Sequence, residues 1–237
     1  MNDRVKVLPL LIISPTIVTL FLTLVLFIPA QDFSWLEGWL LIIVFLAYVF
    51  LYLFYSLIKD PEIVLKRGKY GTDDPETEKT LPDKTFWVLA LPITCFTFIF
   101  PSIEHNLSSR DLALVPPLPL SIELLGFAGL IFSLVFIVYV NAVNRYASKG
   151  LVIHKDHELI TSGPYRYIRH PMYTAFIIFL ISIPIALGSF IATVVSLAWP
   201  VLLIYRIGIE EKMLVDHLPG YKEYMERVKY RLIPKIY

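Results

Sequence analysis

The sequence predicts an all-α fold, a polytopic transmembrane bundle of about six spans, and three observations carry that prediction. Hydrophobic residues make up 57% of the 237 and charged residues only 17%, more apolar surface than a water-soluble core of this size can hide. The apolar residues fall into six runs, each long enough, or nearly so, to cross about 30 Å of hydrocarbon at about 1.5 Å per helical residue. Lys and Arg are rich in every second loop, the pattern of a chain that crosses a bilayer repeatedly.

The first run, Leu8 to Pro29, is too long for a signal-peptide core, and Ile28 and Ala30 around Pro29 offer no small-x-small cleavage site, so it is expected to be retained. A short acidic turn, Gln31 to Glu37, leads to the second run, Gly38 to Ile58. The Lys59 to Lys84 loop is mixed in charge and broken by Gly68, Gly71, Pro75 and Pro82, which favours a solvated linker. Thr85 to Ile103 and Ile122 to Val140 are the third and fourth runs, with the proline-rich Val115 to Pro119 between them. The fifth and sixth, Pro171 to Leu187 and Ser189 to Ile207, are joined by Gly188 alone and must form a tight antiparallel hairpin. Pro15, Pro92, Pro184 and Pro200 fall inside spans and are expected to kink them. Beyond the hairpin, Tyr221, Tyr224, Met225 and Val228 recur at helical spacing with charged residues opposite, which reads as an interfacial helix roofing the membrane surface.

Lys plus Arg number 2 before the first span, then 0, 6, 1, 5 and 0 in successive connections, and 7 from Arg206 onward. By the positive-inside rule both termini, the Lys59 to Lys84 loop and the Asn141 to His170 segment are cytoplasmic. The net charge of +1 gives no basic field, which argues against a nucleic-acid partner. A single cysteine, Cys95, excludes an internal disulfide and is expected to be a buried, inert thiol. His154, His157 and Glu158 have a metal-like spacing but lie in a polar connector without further converging ligands, so no metal site is expected.

Gly163-Pro164-Tyr165-Arg166-Tyr167-Ile168-Arg169-His170-Pro171-Met172-Tyr173 packs more chemistry into the start of the fifth span than anchoring requires. The hairpin brings Arg206, Glu210 and Glu211 back beside Arg169, His170 and Tyr173. The two acids stand at the C-terminal end of a span, where the helix dipole disfavours negative charge and Lys or Arg is expected, so they are read as functional. Farther on come Gly220-Tyr221-Lys222-Glu223-Tyr224 and Tyr230-Arg231-Leu232-Ile233-Pro234.

From about Asn141 to the C-terminus these motifs resemble the membrane methyltransferases typified by isoprenylcysteine carboxyl methyltransferase and the phospholipid methyltransferases. The resemblance divides the chain into a four-span region, 1–140, and a methyltransferase-like region, 141–237. It implies a site for S-adenosylmethionine formed by the Arg-His-Pro start and the Glu-Glu exit, with a lipophilic acceptor, a membrane lipid or an isoprenylcysteine-like carboxylate, entering from the bilayer. Tyr165, His170, Pro171, Tyr173, Glu210 and Glu211 are the expected cofactor-binding residues, and Arg206 and Arg169 the expected catalytic ones. The chemistry agrees. Acids suit the cofactor's ammonium, Arg or His its carboxylate, and Tyr165, Tyr167 or Tyr173 offers a face for adenine. A carboxylate acceptor needs no general base, only a cation to hold it, and Arg206 is the candidate.

Two features depart from that pattern. Ala175 stands where many relatives have Gly, and the terminal Tyr-Arg-Leu-Ile-Pro also resembles membrane sterol reductases, which bind NADPH. A sterol-type reductase is the alternative reading. A non-catalytic scaffold is disfavoured, since no charge lies deep within a span to mark a path.

Overall fold

The computed structural model of the chain describes residues 8–59, 78–79, 84–144, 152–153 and 158–237. Four long helices come first: α1 Leu10–Ala30, α2 Leu36–Lys59, α3 Lys84–Ser109 and α4 Leu120–Val143. They are followed by α5 Pro171–Ala186, α6 Phe190–Ser196, α7 Ala198–His217 and α8 Tyr221–Arg227. The helical class stands as expected, with one two-residue antiparallel pairing of β1, Glu78–Lys79, with β2, Val152–Ile153. That pairing puts the α2–α3 loop and the α4–α5 segment at the same end of the bundle.

Five stretches are long and apolar enough to cross a membrane: α1, α2, α3, α4 and the α6–α7 stretch Phe190–His217. Helix α5, at 16 residues and about 24 Å, is a shorter sixth. The chain is an integral, multi-pass membrane protein. Large apolar side chains such as Ile17, Phe21, Phe132 and Val201 stand on its outer surface, where lipid is the solvent.

The core is organised around α5, whose residues are apolar on every side, as a helix enclosed by neighbours requires. Ala175 and Ile183 pack in a cluster with Leu26, Leu41 and Leu130 of α1, α2 and α4. Leu180 faces a second cluster with Phe86 and Ala90 of α3 and Trp199 and Leu203 of α7. Helix α4 meets α5 at very close range: a Cβ on Gly126 would lie 2.4 Å from the Ala186 nitrogen, and one on Gly129 would lie 2.5 Å from Ser182 Oγ. Small residues let two membrane helices approach backbone to backbone, which replaces the hydrophobic drive that lipid does not supply.

The hairpin forms as expected. Gly188 turns the chain at φ +72°, and Ser189 caps α6 by accepting from the Ala192 amide at 3.1 Å. Pro200 interrupts the Phe190–His217 stretch, as expected of a proline inside a span. It lies in the first turn of α7, where it cannot donate to the Ser196 carbonyl, and the helix breaks just before it at Leu197.

Two expectations are corrected. Cys95 is exposed on the outer face of α3 rather than buried. The last span does not end at Ile207, because α7 continues to His217, so Glu210 and Glu211 lie inside a helix and the dipole argument for them falls. The membrane-distant end of α3 is also helical, to Ser109, and there His105 meets Asp32 at 2.9 Å and stacks on Trp35. The Asp32 carboxyl, bonded first by Ser34 and then by His105, is held at about 2.

Candidate active site

The site begins with the turn that delivers the chain to α5. Gly163 sits at φ +57°, and a Cβ there would lie 2.9 Å from Val143 Cγ2 and 3.2 Å from the Tyr139 hydroxyl, so only glycine fits. Pro164 starts a short 3-10 turn, Gly163–Arg166, and Tyr167 leaves it pointing outward, 64% exposed. The amides of Arg169 and His170 then donate to the Tyr230 and Arg231 carbonyls, each at 2.9 Å. Pro171 opens α5 at the position where a missing N–H costs nothing. One turn in, Thr174 Oγ1 donates to the Leu232 carbonyl at 2.8 Å. The C-terminal tail is thus laid along the motif as a third strand of contact.

Helix α7 supplies the acids. Glu211, 4% exposed, accepts on Oε1 from Arg169 Nε at 2.7 Å, with His170 Nε2 at 3.2 Å from the same oxygen. Its other oxygen accepts from Arg231 Nε and Nη2, both at 2.8 Å. Arg169 also donates from Nη1 to the Val228 carbonyl at 2.6 Å. Burying a carboxylate is costly unless its lone pairs are filled, and here two guanidinium groups and the His170 ring, from two segments, stand against them. Such a carboxylate clamps its surroundings and has little left for a ligand.

Glu210 is different. It is half-buried, and its Oε2 accepts from the Tyr173 hydroxyl at 2.5 Å. The same hydroxyl accepts from Arg206 Nε at 3.1 Å, so Tyr173 links the acid to the arginine one turn before it. Arg206 is 5% exposed, and its guanidinium lies 4.4 Å above the Phe86 ring and 5.7 Å from that of Trp87. Aromatic faces suit a guanidinium because it is weakly hydrated and planar.

Six of the expected residues therefore meet in one network: Arg169, His170, Tyr173, Arg206, Glu210 and Glu211. Tyr165 and Pro171 stand beside it in supporting positions. The Tyr165 hydroxyl accepts from Asn144 Nδ2 at 2.8 Å and its carbonyl from the Tyr224 hydroxyl at 2.7 Å, which ties α4 and α8 to the motif. Tyr173 is the motif tyrosine that reaches the centre, its ring 5.7 Å from that of His170. His154 and His157 lie outside the described residues. Among the described residues no group of three metal-ligating side chains converges.

Residues 124–216 match the isoprenylcysteine carboxyl methyltransferase (ICMT) family. The protein-S-isoprenylcysteine O-methyltransferase of Schizosaccharomyces pombe is 38% identical over 77 residues, 32% of this chain and 33% of that one. The cobalt-zinc-cadmium resistance protein CzcN of Cupriavidus metallidurans is 28% identical over 133 residues, 55% of this chain and 56% of that one. The chain therefore spans between a third and just over half of the length of these curated relatives. A solved structure of the eukaryotic intramembrane Ras methyltransferase ICMT superposes with a TM-score of 0.51 at 21% identity, covering 81% of this chain and 67% of that one. The fold is that of the ICMT structure, and the resemblance stated from the motif holds.

The ICMT match begins inside α4, ahead of Asn141, and includes Gly126 and Gly129, which seat α5. It stops at residue 216, short of α8 and the tail. Arg231, which closes round Glu211, was visible only as part of the terminal motif and carried no expected role in the site. Phe86 and Trp87 carried none either, since they belong to α3 and nothing in their local sequence announces a cation. Tyr221 adds a further group: it is 4% exposed and its hydroxyl makes no hydrogen bond among the described residues. Burial, then the Glu211 and Glu210 carboxylates, push that hydroxyl above the ordinary tyrosine range, so it remains a proton donor. For Arg231, burial opposes the charge, but the hydrogen bonds to Glu211 and Tyr237 outweigh it and raise the guanidinium above its usual value.

Proposed function

We propose that the protein is a membrane methyltransferase that uses S-adenosylmethionine to methylate a carboxylate on a lipophilic acceptor, in the manner of an isoprenylcysteine. The observation that carries this reading is the Arg206–Tyr173–Glu210 chain beside the Arg169–His170–Glu211 clamp, at one end of the α5–α7 hairpin.

The residues fit such a cofactor. Glu210 is half-buried and suits an ammonium group. The Tyr221 hydroxyl is an unfilled buried donor facing the same acids. His170, held against Glu211, offers its ring beside Tyr173. When bound, S-adenosylmethionine supplies an activated methyl group on a sulfonium.

The chain's own residues hold and orient. Arg206, kept flat against Phe86 and Trp87, pairs with the acceptor carboxylate and sets one oxygen toward the methyl carbon. The carboxylate oxygen would form a bond to the methyl carbon as the methyl–sulfonium bond breaks and its electron pair returns to sulfur, leaving the neutral thioether, so no proton need be removed and positioning would supply most of the acceleration. Arg169 has its guanidinium engaged by Glu211 and the Val228 carbonyl, which makes it a positioning residue for His170 rather than a contact to the reactants. The acceptor's chain stays in the bilayer beside α3 and α7. By the charge alternation the site opens to the cytoplasm, with both termini on that side.

Isothermal titration of the purified protein distinguishes this from the sterol-reductase reading. S-adenosylmethionine or its demethylated product is expected to bind, and NADPH is not, because carboxylates repel a 2′-phosphate and a pyrophosphate. Tighter binding of NADPH than of S-adenosylmethionine overturns the assignment.

A further inference from the structure

The tail that lies beyond the family match is built into the site through Tyr237. Its ring stands 5.3 Å from the Arg231 guanidinium, and its hydroxyl accepts from Arg231 Nη1 at 2.8 Å. Its main-chain oxygen accepts from the amides of Arg231, Leu232 and Ile233 at 2.8, 2.9 and 3.1 Å, which folds residues 231–237 into a closed loop. Arg231 then has one edge of its fork on Glu211 Oε2 and the remaining amine on Tyr237. The carbonyls of Tyr230, just before this loop, and of Arg231 accept from the amides of Arg169 and His170. Residues at the far end of the chain therefore fix a guanidinium, which fixes a carboxylate, which fixes His170 and Arg169.

We propose that Tyr237 is a positioning residue for this site, acting through Arg231 and Glu211 to set His170 and Arg169. Two features separate this from ordinary packing. The side chain of Arg231 is one-third exposed, and a partly solvated arginine has many rotamers unless both edges of its fork are held. Tyr237 holds one of them by ring and hydroxyl together. The hydroxyl and the ring also make separable contributions, since phenylalanine keeps the cation–π contact and loses only the hydrogen bond.

The test uses the full-length protein in detergent with Tyr237→Phe and Tyr237→Ala. His170 is 5% exposed, so its carbethoxylation by diethyl pyrocarbonate, followed by mass spectrometry, is slow in the native protein. Tyr237→Ala is expected to speed modification of His170 about tenfold and Tyr237→Phe about threefold, with His105 at the other end of the bundle unchanged. In parallel, the dissociation constant for S-adenosylmethionine rises in the same order, while the Michaelis constant for the acceptor does not. The affinity arm rests on the methyl-transfer reading, but the His170 arm does not. If the native protein binds no S-adenosylmethionine and His170 still responds, the positioning role stands and the cofactor reading falls. Unchanged His170 reactivity in Tyr237→Ala overturns the inference, as does equal acceleration at His105, which would mark general loosening.

Discussion

Replacing Glu211 by glutamine should separate the carboxylate that organises the site from the one that receives a ligand. Glutamine keeps the shape, but the native carboxylate accepts on both edges, from Arg169 and His170 on one and Arg231 on the other. An amide has one oxygen and one amine, so one edge must turn N–H groups toward a guanidinium. The Arg169 and Glu211 side chains are each 5% exposed, which leaves little water to compensate, whereas that of Arg231 is 34% exposed and its share is discounted. Removing one partner of a buried ion pair costs about 3 to 5 kcal/mol. At about 2 to 4 °C per kcal/mol for a chain of this length, the midpoint of thermal unfolding in detergent should fall by roughly 10 °C. Glu210→Gln, which disturbs only the Tyr173 contact, should cost less than about 1.5 kcal/mol of stability. It should instead weaken S-adenosylmethionine about tenfold, or about 1.4 kcal/mol. Size-exclusion thermal melts and isothermal titration measure the two quantities. A Glu211→Gln protein that melts with the wild type, or a Glu210→Gln protein that loses as much stability as it does, refutes this division of roles.

Two more expectations concern the frame around the site. Gly126→Ala brings a methyl group to within 2.4 Å of the α5 backbone, which cannot rotate away, and should lower stability by about 1 to 3 kcal/mol. Gly208→Ala in α7 meets nothing within 4 Å and should be neutral or stabilising by up to about 1 kcal/mol, so equal melting shifts for the two would undo the close-packing account. For sidedness, single cysteines at Asp74 and Ser108 in a Cys95→Ala background should differ in labelling by an impermeant maleimide on sealed cells, with Ser108 the accessible one. The Cys95 replacement is needed because that thiol is exposed. Equal labelling would contradict the charge-derived topology.

The helical class and the six crossings were legible because a bilayer demands long apolar runs and permits few alternatives. Boundaries were less so. Lys84, His105, Asn106 and Ser109 all belong to α3, although their polarity marks them as loop by hydropathy alone. Helices extend past the hydrocarbon wherever their polar side chains find partners, as His105 does with Asp32. Cys95 was misplaced for a related reason. In water a cysteine is most often buried, but in lipid the outward face of a helix is itself apolar, so burial in protein is no longer what the residue type predicts.

At the site, the residues the motif singled out lie together, while one argument for two of them fails. Glu210 and Glu211 were singled out because acids at the end of a helix oppose its dipole, yet α7 runs on to His217 and the dipole has no bearing on them. What holds two adjacent acids there is their hydrogen-bond partners: Arg169, His170 and Arg231 for Glu211, and for Glu210 the Tyr173 hydroxyl, which in turn accepts from Arg206. Neighbouring helical residues point about 100° apart, so adjacent acids necessarily face different partners, and a sequence pair of glutamates is two sites rather than one doubled. Glu211 faces the tail and is consumed by it; Glu210 faces Tyr173 and the arginine that lies over Phe86 and Trp87. The partners that decide this, Arg231 and the α3 aromatics, are about 20 and 125 residues away along the chain, beyond the reach of any local pattern. A methyltransferase reading that assigns both acids to the cofactor would leave Arg231 without a purpose. Among the described residues Glu211 is taken up on both edges by the clamp, whereas Glu210 meets the Tyr173 hydroxyl on one oxygen, which is why the proposed ligand role falls to Glu210 alone.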